Sequence, residues 1–433
     1  MVKTIRPMRK IVLLLLLLIR HPGIADDQGQ AFYWRGALYQ DWMGFQGKSE
    51  TMFSQLSTRL HLTLWNRPGD GWTINLDLRN RLVMNEGGGN SLMVYNAYLA
   101  YDAPGSRFFL SLGQMNLYDT AGTGQLAGVL AGFKLNQNLS AGAYGGLETD
   151  IYNTRTSFNY QKFGVHFRYL GQGARQFSLS YNLVRFKAIT ERQFLLANAL
   201  MPLGKILILY GNMEIEMDPL VKPADRLSQL FVNARANLTR YADITASYSS
   251  GRGMDYHQFL LEQSQDPSLQ NSTIERFYYN KSYGVRFNLK PGRNLRLHIS
   301  RQESELADLG IRNHTLGFGF SIAQILKSGI SLYGNYNLNR GGSSEADTYY
   351  LSASRSFGKL AWTLSYANFY NGVLFSGNGS PQVIRIKVPD QHTISTDLFL
   401  ILSRSLAISL DYSYLQQTEY FEHQLFMRLI LRK

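Results

Sequence analysis

The chain has 433 residues, a formal net charge of +13, 39 glycines, 27 tyrosines, 24 phenylalanines, only 11 prolines and no cysteine. The lack of cysteine excludes a disulfide framework, a thiolate metal site and a cysteine nucleophile, and the lack of any long Lys/Arg block argues against a nucleic-acid partner. Abundant glycine and amphipathic rings point to strands and tight turns, and the positive charge points to acidic lipid head groups or a pathway for anions.

The first segment reads as an address. Met1–Lys10 carries Lys3, Arg6, Arg9 and Lys10 and no acid, Ile11–Ile19 is an uninterrupted apolar run, and Gly23-Ile24-Ala25 offers small residues. A basic, then apolar, then small-residue order predicts a secretory signal peptide over residues 1–25, cleaved after Ala25. The apolar run is too short to span a bilayer, and no later stretch approaches ~18 consecutive apolar residues, so no transmembrane helix is predicted. No composition shift divides residues 26–433, which are expected to form one domain.

From near Gln30 onward the pattern has period two, the signature of strands. Leu56, Leu60, Leu62 and Leu64 alternate with Gln55, Ser57, Arg59, His61 and Thr63. Trp72, Ile74, Leu76 and Leu78 alternate with Thr73, Asn75, Asp77, Arg79 and Arg81. Phe163, Val165, Phe167 and Tyr169 oppose Lys162, His166 and Arg168, and Leu230, Val232, Ala234 and Ala236 oppose Gln229, Asn233, Arg235 and Asn237. Tyr283, Val285, Phe287 and Leu289 oppose Gly284, Arg286, Asn288 and Lys290; after Pro291-Gly292-Arg293, Leu295, Leu297 and Ile299 oppose Arg296, His298 and Ser300. The last runs, Leu406–Tyr412 and Leu425–Leu431, oppose Ser409 and Asp411, and Arg428. The only helical candidates are short, Gln258–Gln263 and Leu306–Gly310.

The connections alternate as well. Ten short turns are expected at Asn66–Gly71, Ala103–Ser106, Asn136–Asn138, Gly171–Arg175, Pro202–Lys205, Arg240–Asp243, Pro291–Asn294, Leu326–Gly329, Phe357–Lys359 and Ser403–Ser405. Between them lie mostly longer loops, among them Thr149–Asn159, Asp218–Arg226, Gly251–Glu275, Gly341–Asp347 and Gly372–Asp390. This spacing predicts an all-β fold of about 22 strands, within a range of roughly 18–24. A soluble sandwich alternates too, but usually stops at roughly 7–9 strands per domain. So many amphipathic strands in one unbroken unit predict a single large antiparallel transmembrane β-barrel, closed so that no backbone group is left unpaired in lipid. The greasy face is then outside, and Trp65, Trp72, Tyr101, Tyr169, Trp362, Tyr366 and Tyr370 are expected at the membrane boundaries.

A signal peptide, amphipathic hairpins such as "QLAGVLAGFKLNQNLSAGAYGGLE" (Gln125–Glu148), alternating turns and loops, and no cysteine together resemble a Gram-negative outer-membrane β-barrel of the porin-like class. The resemblance is architectural and implies short periplasmic turns, longer extracellular loops, outer-membrane lipid around the wall and insertion by the barrel machinery. Two features depart from relatives of that class: the chain ends "MRLILRK" without a terminal aromatic, and no plug-sized segment precedes the first strand.

Little in the sequence suggests chemistry. "GTGQLAG" (Gly122–Gly128) has its third glycine one residue late for a dinucleotide fingerprint and no βαβ context. Asp255-Tyr256-His257 and Asp390-Gln391-His392 place an Asp and a His at the outer rim, but no nucleophile elbow or metal-spaced histidine pair supports them. No enzyme activity, cofactor or metal is expected. The suggestive set is cationic: Arg59, Arg79, Arg81, Arg168, Arg235, Arg286 and Arg296, with His61, His166 and His298, all on the polar phase, against few inward acids, of which Asp77 and Asp411 are the clearest. The expected function is passive passage of small polar solutes, biased toward anions or anionic saccharides. The alternatives are an export or secretion conduit working with periplasmic partners, and an outer-membrane enzyme or adhesin using the long loops.

The cysteine-free background makes the topology testable. A single cysteine introduced within Gly251–Glu275 or Gly372–Asp390 should react with a membrane-impermeant maleimide on intact cells, and one within Pro291–Asn294 should not; labelling of the Pro291 turn from outside would reverse the orientation.

Overall fold

The structure, a computed structural model, describes residues 33–47, 53–65, 69–84, 89–117, 124–149, 156–187, 189–217, 226–252, 279–306, 310–325, 328–342, 344–376, 383–387, 390–417 and 420–432. The strands are β1 (Tyr33–Gln46), β2 (Phe53–Trp65), β3 (Trp72–Val83), β4 (Asn90–Tyr101), β5 (Phe108–Asn116), β6 (Gln125–Lys134), β7 (Leu139–Thr149), β8 (Thr156–Leu170), β9 (Gln176–Phe186), β10 (Ile189–Leu203), β11 (Leu207–Glu216) and β12 (Leu227–Thr239). They continue as β13 (Ala242–Arg252), β14 (Tyr279–Leu289), β15 (Leu295–Leu306), β16 (Ile311–Ile322), β17 (Ile330–Gly341), β18 (Ser344–Phe357), β19 (Leu360–Ser376), β20 (Val383–Lys387), β21 (Gln391–Ser403), β22 (Leu406–Gln417) and β23 (Tyr420–Arg432). Among the described residues the only helix is the 3-10 turn Gln172–Ala174. The signal segment, the helical candidate Gln258–Gln263 and Asp255-Tyr256-His257 lie outside the described residues, as does most of the predicted loops Thr149–Asn159, Asp218–Arg226 and Gly251–Glu275. The predicted loop Gly341–Asp347 is instead largely strand, the end of β17 and the start of β18, and Gly372–Asp390 holds the end of β19 and β20.

Each wall strand pairs antiparallel with its neighbour in chain order, and β1 returns to pair with β23 from Ala37↔Arg432 to Gln46↔His423. The short β20 pairs only with the end of β19, Gly372–Ser376, while the body of β19 pairs with β21. Twenty-two strands therefore close the barrel, and β20 is a ribbon at its rim. All ten predicted turns fall at the rim that holds Tyr33 and Arg432. The opposite rim is less uniform than the loop pattern suggests, since links of only two residues follow β9, β17 and β22.

Curvature sorts the two phases. Side chains on a concave wall converge and cover one another, whereas those on the convex side splay apart. The polar phase is accordingly the covered one, with Ser57 at 1%, Asn182 at 0% and Asp243 at 2% exposure. The apolar phase is the open one, with Leu297 at 38%, Ile299 at 44% and Val285 at 49%. Apolar surface left in water forfeits about 25 cal/mol per Å², so a belt of this kind around a closed sheet belongs in hydrocarbon.

Rings bracket the belt. At the turn rim Trp72 packs on Tyr101 with centroids 4.9 Å apart, and Phe108 on Phe133 at 5.7 Å. Toward the other rim stand Tyr248–Tyr283 at 5.1 Å, Tyr336–Tyr349 at 4.8 Å and Tyr366–His392 at 6.2 Å. Beyond them the outward phase turns charged, with Arg301–Glu303 at 2.5 Å, Arg312–Glu305 at 3.0 Å and Arg340–Asp347 at 2.6 Å. Trp65 departs from the expected girdle: it shares the inward phase of His61 and Thr63 and stacks on Tyr33. The side chain of Tyr370 lies outside the described part.

The seam has its own ion pair. Arg428 of β23 donates Nε and Nη2 to the two carboxylate oxygens of Asp41 in β1, at 2.8 and 3.1 Å, across a sequence separation of 387 residues. Its guanidinium also lies 5.0 Å from the Phe426 ring centroid and 5.7 Å from that of Tyr39. Arg428→Met leaves a buried carboxylate without its partner and should lower stability by about 1–3 kcal/mol, while adding Asp41→Leu should recover part of the loss; urea unfolding in lipid vesicles reads both.

The faces can be tested separately. Leu297→Arg should cost about 2–4 kcal/mol at mid-bilayer depth and less near an interface, whereas Ser300→Leu on the concave face should leave folding into detergent or lipid unchanged. Normal folding of Leu297→Arg would reverse the assignment of faces.

Candidate functional site

The concave wall is the candidate solute path. A round barrel of this strand number spans roughly 40 Å between opposite backbones, at ~4.8 Å strand spacing and ~40° tilt. Side chains from opposite walls cannot meet across that distance. What a solute meets is therefore decided by each wall sector separately.

All ten predicted residues stand on the concave phase, at separate stations around the wall: β2 and β3, β8, β12, and β14 with β15. Register brings some together: Arg59 stands opposite Arg79, His61 opposite Asp77, and Asn288 opposite His298. Several are braced. Arg59 donates Nε and Nη2 to Asp77 at 2.8 and 2.7 Å and lies 5.2 Å from the Tyr95 ring centroid. His61 Nδ1 stands 3.8 Å from the same carboxylate. Tyr95 reaches that place because it is the unpaired residue of a bulge in β4, between Asn96, opposite Asp77, and Val94, opposite Leu78. Arg235 pairs with Asp243 at 3.2 Å, and Asp243 also accepts from Lys290 at 3.0 Å and Asn288 at 2.7 Å.

Others meet only neutral partners. Arg79 donates to Ser57 Oγ at 2.7 Å, Arg81 to Gln55 Oε1 at 2.6 Å, and Arg286 to Asn288 Oδ1 at 3.0 Å. Among the described residues no acid pairs with Arg79, Arg81, Arg168, Arg286 or Arg296. His298 Nε2 lies 3.2 Å from Asn335 Oδ1. His166 differs from the expectation of a lining residue: it is buried, at 5% exposure, lying over Gly142 with Phe109 and Tyr144 beside it.

The concave face also holds more acid than Asp77 and Asp411. Arg192 bonds to both Glu214 and Glu216, Ser228 Oγ donates to Glu214 at 2.7 Å, and Lys162 meets Glu148 at 3.3 Å. Asp397 stands directly opposite Asp411. The "EIE" at Glu214–Glu216 carries a legible polar phase, but its meeting with Arg192 depends on the register between β10 and β11, where Phe194 stands opposite Glu216. Asp41 and Arg428 lie near opposite ends of the chain, and only closure joins them.

The lumen is lopsided. Over β5–β12 the wall is packed: Met115, Leu126, Leu130 and Tyr144 form one buried cluster and Val184, Phe194 and Leu196 another. Tyr144 lies flat over Gly164, where a Cβ would stand 2.4 Å from the ring, and donates its hydroxyl to Asn182. Over β13–β18 the concave side is instead small and polar and leaves an open groove of about 530 Å³. At the outer rim His392 is engaged on the lipid-facing phase, with Nδ1 3.0 Å from both Tyr366 Oη and Asn368 Nδ2, and no ion pair joins it to Asp390.

No protein-family model matches the chain, and no curated protein matches it significantly. Among solved structures it is similar to OpdQ of Pseudomonas aeruginosa, at 9% identity and TM-score 0.41 over 92% of this chain and 99% of that one. It is also similar to OccAB4 of Acinetobacter baumannii, at 10% and 0.41 over 94% and 100%, and to OccD3 of Pseudomonas aeruginosa, at 9% and 0.43 over 94% and 93%. At such identities and TM-scores the likenesses carry no inference about activity or solute.

Proposed function

We propose that this protein is a porin-like channel of a bacterial outer membrane. It is inserted there as a mature chain after removal of its signal peptide and allows passive passage of small polar solutes with a bias toward anions. The observation that carries the reading is the concave wall itself. It is polar, too wide to be closed by its own wall side chains, and bears five guanidinium groups with no acid partner among the described residues. Fixed positive charge beside water raises the local concentration of anions and lowers that of cations.

The braced and unbraced arginines should behave differently. Replacing Arg79, Arg286 and Arg296 together by Glu should move the reversal potential toward the cation value in a planar bilayer under a salt gradient. The shift should be large near 0.1 M salt, where the screening length is about 10 Å, and small near 1 M, where it is about 3 Å. Arg59→Glu alone, which breaks the pair with Asp77, should instead reduce folding yield. Unchanged selectivity in the triple variant would make these arginines structural and defeat the anion bias; absence of any wild-type conductance would defeat the channel reading.

A further inference from the structure

We infer that the concave groove over β13–β18 is a binding site for a saccharide, a ring bearing several hydroxyl groups; as a step in permeation this rests on the channel reading, as a binding site it does not. The groove has a volume of about 530 Å³ and is lined chiefly by hydroxyls and amides, with Arg286 the one cation on its concave side and no acid. The hydroxyls of Thr245, Ser247 and Ser300 make no hydrogen bond to another described residue. A small inorganic anion would be matched by clustered cations. A polyol is matched by a surface that offers donors and acceptors together.

The groove exists because inward positions are glycine. A Cβ on Gly317 would stand 2.5 Å from Ser300 Oγ and 2.9 Å from Asn337 Oδ1, and one on Gly284 would stand 2.6 Å from Ser247 Oγ. The polar side chains lie across these gaps, so their oxygens face the lumen at low relief. Next along the same phase stand Tyr333 and Tyr350, 38% and 39% exposed, with ring centroids 5.7 Å apart. Tyr350 is opposite Asn335, and Asn337 is opposite Thr348 of the groove. Ring faces beside hydroxyls suit a sugar, whose one side is C–H and whose rim is O–H. The site lies at mid-strand in β14 and β15, in the wall sector that adjoins the packed β5–β12 wall through the β12–β13 pairing. Open to the lumen, it should hold its solute weakly enough to release it, as conduction requires.

The test uses the full chain refolded into a planar bilayer, with ion current titrated against maltose, glucuronate and acetate. Maltose and glucuronate should each reduce the current saturably, and acetate at equal concentration should not. Ser300→Leu, which fills the groove, and Tyr350→Ala, which removes a ring, should each raise the half-blocking concentration of maltose about fivefold or more. Block by glucuronate and acetate but not maltose would replace the saccharide site by an anion site. Equal maltose block in wild type, Ser300→Leu and Tyr350→Ala would place binding elsewhere and overturn the inference. Should the wild type carry no current, calorimetric titration of the detergent-folded protein with maltose decides separately: binding lost in Ser300→Leu keeps the site while the channel reading falls, and no binding by wild type removes the site.

Discussion

Everything in this molecule depends on the backbone hydrogen bonds between β1 and β23. A sheet in hydrocarbon cannot leave an edge, because each unpaired N–H or C=O there costs several kcal/mol. Closing the edge fixes an even count of wall strands with both described ends at one rim. It also brings Asp41 and Arg428 into contact across 387 residues of sequence. That ion pair contributes less than the ladder it spans, but it joins the two strands in register at the one place where no turn links them.

Closure also creates the two environments. On the convex face the belt needs only to be apolar and bracketed by rings, so many sequences satisfy it. The concave face is more demanding, because converging side chains strip water from one another and a buried charge then requires a partner. The packed half of the wall meets this requirement in two ways. Several charges there are paired, Lys162 with Glu148 and Arg192 with Glu214 and Glu216, although Arg168 meets no acid among the described residues. Large rings occur where a neighbouring strand offers glycine, Tyr144 over Gly164 and His166 over Gly142.

The period-two pattern made the barrel legible, because one greasy phase over so many strands has few other places to go. The turn rim was legible for the same reason: proline, glycine and asparagine interrupt the pattern there at regular intervals. The inward phase of Arg59, Arg79 and Arg286 followed from the alternation alone. Which of them is neutralised did not follow. Arg59 and Asp77 lie on different strands, and their contact depends on a register fixed by the intervening hairpin; Tyr95 joins them through a bulge that reverses the local phase. Acids were undercounted at Glu191, the extra residue of a bulge in β10, and at Glu214 and Glu216, whose phase is regular but whose partner Arg192 lies on another strand. The burial of His166 was not legible either, since it depends on Gly142 standing opposite in the next strand.

A wide barrel does not by itself make a selective one, since a field set by a few wall charges is screened within about 10 Å in dilute salt. The lopsided lumen bears on this. Packing over β5–β12 takes up space on one side, largely with apolar side chains and ion pairs. The adjoining sector, β13–β18, keeps small hydroxyls and amides, with Arg286 and Arg296 on the same strands. A solute passing along that side travels within reach of Arg286 and Arg296 rather than through the middle of a broad aqueous pore. Gly142 and Gly164 let one sector of the wall pack flat, and Gly284 and Gly317 let another stay open. Selectivity then depends on where side chains are missing as much as on where charge is placed.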